Sequence, residues 1–269
     1  MRKRVFTQEE IEKVIYNYTV LNMGQKRAGK EFKMNDRMVR RLLEENNIPI
    51  KTIQETNISR YKINEKFFDI ENSDMAYLLG LISSDGCIAS NENCIYIELQ
   101  EADGELLEEI NRRLENERPI KYYQTSSGYK NAKLYFFSKH IKDRLKYYNI
   151  VPNKTYSADF NFPALLNKKY WIDYIRGYFD GDGCVKRTSH SITFQIDGLK
   201  KEIFEVIQSY LLEFGIKTTL TYNIKNSGLK LWRLYCYGDN AQKIFQLMYY
   251  DKNQLRLNRK YEKYLLLKK

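Results

Sequence analysis

GYFDGDGCV, residues 177–185, places two carboxylates and three glycines within seven positions. The preceding stretch, YWIDYIR, sets Ile172, Ile175 and Phe179 at helical spacing, so a helix with one apolar face runs into the motif. Gly177 then falls inside that helix, where glycine costs about 1 kcal/mol relative to alanine. Asp182 falls at its end, where backbone carbonyls repel an anion. Neither choice favours stability. Taken alone, the stretch also reads as a glycine-rich αL C-cap closed by Gly183, with the aspartates solvated in a turn.

A second copy upstream, AYLLGLISSDGCI, weighs against the simple turn. Aligning Gly80 with Gly177 also aligns Tyr77 with Tyr174, Asp85 with Asp182, Gly86 with Gly183 and Cys87 with Cys184, all at one constant separation. The similarity continues downstream, where SSGYKNAKLYFF (126–137) matches NSGLKLWRLYCY (226–237) and Tyr147-Tyr148 matches Tyr249-Tyr250. The chain is a tandem duplication with a period of about 100 residues, well above that of solenoid arrays.

Bulk properties narrow the class. The 269 residues are 43% hydrophobic, enough for one large or two modest domains. A net charge of +11 points to a polyanionic partner, nucleic acid foremost. The sequence has no apolar run of bilayer length, and charges are spread through its first twenty residues, which argues for an intracellular chain. Cys87, Cys94, Cys184 and Cys236 form no CxxC pair and read as reduced, partly buried thiols. With only His140 and His190 present, histidine-based catalysis and a zinc site are both disfavoured.

The N-terminal 50 residues differ in character. FTQEEIEKVIYNY opens with a capping box, Thr7 to Glu10, and sets Ile11, Val14, Ile15 and Tyr18 on one helical face. After the basic segment QKRAGKEF, Asn35 or Asp36 can cap a helix burying Val39, Leu42 and Leu43 and exposing Arg37, Arg40 and Arg41. This resembles a helix-turn-helix DNA-binding unit; a small helical cap with a solvated charged face is the competing reading. Residues 51–63, with their polar KTIQETNISRYK run, read as a linker.

Each repeat, 64–158 and 159–269, reads as helix, strands, helix, strand pair, helix. NCIYIELQ alternates Ile95, Ile97 and Leu99 against Tyr96, Glu98 and Gln100, the period of a half-buried strand. Hairpins are expected at Ser127-Gly128 and Ser227-Gly228. The class is α+β, with antiparallel strands carrying one polar face.

YLLGLISSDG and YIRGYFDGDG resemble the two signature motifs of the LAGLIDADG homing endonucleases in their single-chain, two-repeat form, over about residues 64–269. The resemblance implies two pseudo-symmetric α-β-β-α-β-β-α repeats, with motif helices packed side by side through their glycines and sheets forming a DNA-binding antiparallel saddle. It also implies that Asp85 and Asp182 hold divalent metal, Mg²⁺ with Mn²⁺ as a substitute, for hydrolysis of both strands of a long target to leave 3′ overhangs. Ser83 departs from the pattern where the second motif has Asp180; the metal-binding last acid is kept in both, so Asp180 is expected to be structural or to sit in the outer shell of the metal site. Gln100 and Gln195 are expected to end equivalent strands and order solvent, and Lys154 and Lys260 to position the attacking water, with Arg259 an alternative to Lys260. Lys121, Tyr123, Lys130, Lys133, Tyr222, Asn223, Lys225, Lys230 and Arg233 are candidate DNA contacts. A monomeric enzyme is expected. The alternative is a non-cleaving regulator, or an intron RNA maturase, on the same scaffold.

Overall fold

A computed structural model describes residues 6–21, 23–52, 55, 61–90, 92–187, 191–225 and 228–267. His190, Ser227 and most of the expected linker lie outside the described residues. The chain divides into two compact units, Met1–Lys62 and Ile63–Lys269.

In the first unit, α1 (Gln8–Thr19) begins with the reciprocal Thr7–Glu10 capping box, which satisfies two backbone N–H groups that a helix start leaves open. A single turn, α2 (Gln25–Ala28), follows, and α3 (Asp36–Glu45) is capped by the Asn35 side chain accepting from Met38 N. Val14, Tyr18, Ala28, Met34, Val39, Leu42 and Leu43 form its core, with Ile11 and Ile15 packed at the edge. Arg37, Arg40 and Arg41 are exposed. Arg40 and Arg41 pair with Glu44 and Glu45 one turn on, and such exposed pairs contribute only about 0.5 kcal/mol each.

The second unit is built twice. The first repeat runs α4 (Ser73–Ser84), β1 (Gly86–Ile88), β2 (Cys94–Gln100), α5 (Gly104–Arg113), β3 (Lys121–Gln124), β4 (Lys130–Phe137) and α6 (Lys139–Tyr147). The second runs α7 (Trp171–Asp182), β5 (Gly183–Arg187), β6 (Ile192–Gly198), α8 (Lys201–Glu213), β7 (Thr219–Ile224), β8 (Lys230–Tyr237) and α9 (Gly238–Met248). Each repeat contributes an antiparallel four-stranded sheet, ordered β1-β2-β4-β3 and β5-β6-β8-β7. The alternation in IELQ is realised: Ile95, Ile97 and Leu99 are buried while Tyr96, Glu98 and Gln100 face outward. Gly128 and Gly228 turn the two hairpins at φ +85° and +80°, a backbone region open to glycine at no steric cost. A further helix, α10 (Asn258–Leu267), was not expected from the sequence; it buries Lys260 and Tyr264.

One core runs through both repeats, and α4 against α7 is its spine. A Cβ at Gly80 would lie 2.0 Å from Tyr174 O, and one at Gly177 would lie 1.9 Å from Tyr77 O. Only glycine permits this backbone approach, which accounts for the two interior glycines. The αL cap is not formed: Gly183 has φ −92° and ψ 162°, so α7 passes directly into β5. The motif glycines serve packing, with a Cβ at Gly183 meeting Phe179 O at 2.4 Å.

Candidate functional site

Because α4 and α7 cross with their backbones in contact, their C-terminal ends emerge together. Asp85 caps the first and Asp182 ends the second. The Asp85 carboxylate reaches across the seam, its Oδ2 3.1 Å from where a Gly181 Cβ would sit. Burial raises the Asp85 pKa, opposed by the charges of Lys260, Lys154 and Arg259. Burial also pushes Asp182 up to about 6, and the negative charge of Asp85 adds to the rise. Two desolvated carboxylates at the negative ends of two helices thus repel each other, and a bound cation relieves that repulsion.

Each helix end is closed by one lysine. Lys154 Nζ donates to Ile82 O and Ser84 O, both at 2.6 Å. Lys260 Nζ donates to Phe179 O and Asp180 O at 2.7 Å and to Gly181 O at 3.0 Å. Burial lowers both ammonium groups to about 8, with the neighbouring aspartates pulling the other way. The two lysines therefore neutralise carbonyls that would otherwise oppose the carboxylates. Arg259 turns away to Asp103, which is nearly buried, with Nε 2.9 Å from Oδ2.

Asp180 lies fully inside. Its Oδ2 accepts from Tyr77 OH at 2.8 Å and Leu257 N at 2.7 Å, and burial raises its pKa. It ties α7 to α4 and to the segment that carries Lys260. Ser83, at the symmetric position, comes near Tyr174, but neither hydroxyl makes a hydrogen bond of normal geometry among the described residues.

The carboxylates suit a hard divalent cation, which takes oxygen ligands and keeps sites for waters and phosphate oxygens. Among the described residues no group of three or more His, Cys, Asp or Glu forms, so the protein would supply two carboxylates and leave the remaining positions to water and ligand.

Strand register corrects one expected equivalence. Gly86 pairs with Ile97 as Gly183 pairs with Ile196, which makes Tyr96 the counterpart of Gln195 and Glu98 the counterpart of Asp197. Gln100 lies beyond this frame, exposed opposite Asn131 at the end of β2. Gln195 pairs with Cys184 at the motif end of its sheet and donates to Asp197 at 3.1 Å. The sequence alignment matched glutamines by type where the sheet matches positions by register.

Register also sorts the expected DNA contacts. Lys121, Tyr123, Lys133, Asn223 and Arg233 share the outward face with Glu98 and Asp197. Lys130, Tyr222 and Lys230 have the opposite parity: Tyr222 packs on Trp232, with Lys230 over the Tyr222 ring. Lys225 lies in the hairpin turn. Tyr96, Asn131, Tyr135, Thr219 and Thr221, not singled out from sequence, belong to the outward face as well. The alternation within CIYIELQ, KNAKLYFF and TLTYNI carried the signal for them.

The family model described as a LAGLIDADG-like domain matches residues 72–150 and 172–248. An uncharacterized protein of Methanocaldococcus jannaschii is 27% identical over 209 residues, 71% of this chain and 72% of that protein. The alpha subunit of the ribonucleoside-diphosphate reductase NrdEB of Bacillus subtilis is 27% identical over 173 residues, 59% of this chain but only 16% of the subunit. Among solved structures, the homing endonuclease I-WcaI bound to its DNA recognition sequence is 16% identical with a TM-score of 0.50, covering 81% of this chain and 97% of that one; this is a likeness of fold.

Proposed function

The chain belongs to the LAGLIDADG-like domain family, and on that premise we propose that it is a site-specific, divalent-metal-dependent double-strand DNA endonuclease of the homing type, acting as a monomer. The observation that carries the reading is the convergence of Asp85 and Asp182, two desolvated carboxylates with raised pKa at the joined ends of the motif helices. A binding protein that does not cut has no use for this pair, which costs stability where it stands.

In this reading Asp85 and Asp182 hold Mg²⁺ or Mn²⁺, one carboxylate serving each strand, and the staggered cut leaves 3′ overhangs. A divalent ion supplies Lewis-acid stabilisation of the leaving oxygen and an acidified water. Lys154 and Lys260 keep the two helix ends positive enough to admit a phosphodiester, and Gln195 at the motif end of the second sheet orders solvent there. The outward sheet faces and the N-terminal helical unit engage duplex DNA, basic groups setting affinity through phosphates.

The test is incubation of the purified protein with a randomised duplex library in Mg²⁺ or EDTA, followed by sequencing of cut ends. Recurrent metal-dependent cuts around one long site are expected. Asp85→Asn and Asp182→Asn should each reduce cutting at the affected strand by about 10³-fold, the several kcal/mol that a metal site contributes, while binding persists. Recovery of one bound site with no cut ends under any divalent ion would overturn the nuclease in favour of a regulator or maturase.

A further inference from the structure

On the outward face of the second sheet, Arg233 lies directly across from Asp197. Its Nε donates to Oδ1 and its Nη2 to Oδ2, both at 2.8 Å, a fork on a half-buried carboxylate. Gln195 Nε2 adds contacts to the same two oxygens at 3.2 and 3.1 Å. Three donor nitrogens thus face the two oxygens of this one carboxylate.

An anion on a face meant for a polyanion weakens binding unless it does something else there. Asp197 is already engaged by Arg233 and Gln195, and its strongest contacts are the two from the Arg233 fork, so its effect is on Arg233. A guanidinium has five N–H donors: one on Nε and two on each terminal nitrogen. Asp197 takes one from Nε and one from Nη2 along the side of the group. The end-on pair, one N–H of Nη1 and one of Nη2, has no partner among the described residues and points in parallel in the direction that the fork fixes. Two parallel donors at that spacing match the O6 and N7 acceptors of guanine in the major groove, and no other base edge there offers two adjacent acceptors.

The first sheet supports the assignment independently. Glu98 stands at the register position of Asp197, across from Lys133, so the acid–base pair recurs in both repeats. There Glu98 also accepts from Asn131 Nδ2 at 2.8 Å and from Tyr123 OH, and Lys133 Nζ sits 3.6 Å from Glu98 Oε2 and 3.6 Å from the Tyr96 ring centroid. Lysine carries a point charge on a flexible stem and lacks a planar fork. The pair is shared, but only the second copy can read two acceptors at once.

Resting on the proposed function, we infer that Arg233 reads a guanine in the target half-site facing the second sheet, and that Asp197 is the positioning residue that fixes its fork for that base. Asp197 acts through Arg233 and touches no DNA group itself.

The experiment is selection from a randomised duplex pool in Ca²⁺ buffer, with bound and cut molecules sequenced alike, for the unmodified chain, Arg233→Ala, Asp197→Ala and the isosteric Asp197→Asn. A guanine is expected at one position of the selected site, favoured roughly 5- to 150-fold over the other bases, the discrimination of one good bidentate pair. Arg233→Ala and Asp197→Ala should erase most of that preference at the same position and leave the rest of the site unchanged. Asp197→Asn keeps the shape but loses the charge and one acceptor, and should lower the same preference partway. Thermal unfolding of each variant identifies a misfolded one, and Asp197→Asn then decides. An unchanged preference in the Asp197 variants, a uniform weakening at every position, or a base other than guanine where Arg233→Ala acts would overturn the inference. Failure of the unmodified chain to select any site would instead overturn the proposed function on which it rests.

Discussion

The motif helices α4 and α7 share a backbone path and differ in what they bury. α4 is apolar along its buried length apart from Ser83, whereas α7 carries Asp173, Arg176 and Asp180 into the interior, all at most 1% exposed. At the symmetric positions α4 has Ala76, Leu79 and Ser83. The buried groups of α7 are sockets for the chain that follows α9. Arg176 donates from Nε to Leu255 O at 2.9 Å and from Nη1 to Met248 O at 3.0 Å; Asp180 accepts from Leu257 N, and Lys260 closes the helix end. In the first repeat Lys154 reaches its carbonyls without any such socket on α4. The duplication thus kept the aspartates and lysines at the helix ends in symmetric pairs and made the fastening asymmetric.

Breaking the fastening should give the largest effect on stability. Arg176→Leu installs the residue that α4 uses, but it leaves the Asp173 charge buried, with Ser73 Oγ and Tyr250 OH as its remaining donors. Removing one partner of a buried pair costs about 3–5 kcal/mol, and urea unfolding of the full chain should show it. Adding Asp173→Ala, which completes the likeness to α4, should recover about 1–3 kcal/mol as coupling between the two sites. A single variant costing under about 1 kcal/mol would show that the sockets are ornamental and that the two helices are equivalent after all.

A second pair of variants tests where the helices ought to agree. Alanine normally improves a helix interior by about 1 kcal/mol over glycine. At Gly80 and Gly177 the added carbon would fall within 2.0 Å of a backbone carbonyl of the other helix, and backbone cannot turn aside as a flexible side chain does. Gly80→Ala and Gly177→Ala should each destabilise by about 3 kcal/mol, the upper end of ordinary overpacking, and match within about 1 kcal/mol of each other. Unequal costs would mean that the crossing is less symmetric than the two contact distances state.

Much of this could be read from the chain before any coordinates. The constant offset from Tyr77/Tyr174 to Cys87/Cys184 revealed the duplication, the resemblance of the two motifs to a known family implied the close crossing through their glycines, and the period of two in NCIYIELQ oriented the first sheet. These signals are local or repeat, and a repeat is visible without a structure. What stayed hidden depends on which residues meet across the fold. Asp180 could be called structural, but its partners Tyr77 and Leu257 are far away in sequence. Gln100 was matched to Gln195 because both end a polar-looking strand, and only the pairing of β1 with β2 shows that they lie out of register. Helix α10 was missed because Lys260 was read as a lone functional residue, while Tyr264, one turn on, shares its buried face.

The finest distinction between the repeats is Asp180 against Ser83, and it predicts an effect at one position and none at the other. Asp180→Ala strips the acceptor from Tyr77 OH and from Leu257 N, two buried donors whose loss costs about 1–3 kcal/mol each when no water replaces it. Against this stands the relief of a buried carboxylate whose Oδ1 has no partner among the described residues. The net should be about 2 kcal/mol of destabilisation. Since Leu257 N lies three residues before Lys260, under the proposed function the variant should also slow cutting of the strand assigned to Asp182 more than that assigned to Asp85. Ser83→Ala removes a buried hydroxyl that makes no hydrogen bond of normal geometry among the described residues, so its stability should stay within about 0.5 kcal/mol of the unmodified chain and, under the proposed function, both strands should be cut as before. Nicking assays on a plasmid carrying the selected site, run beside unfolding curves, read both quantities on the same protein. Equal slowing of the two strands by Asp180→Ala would place its effect on the helix crossing as a whole and remove the second repeat's separate anchor for its lysine.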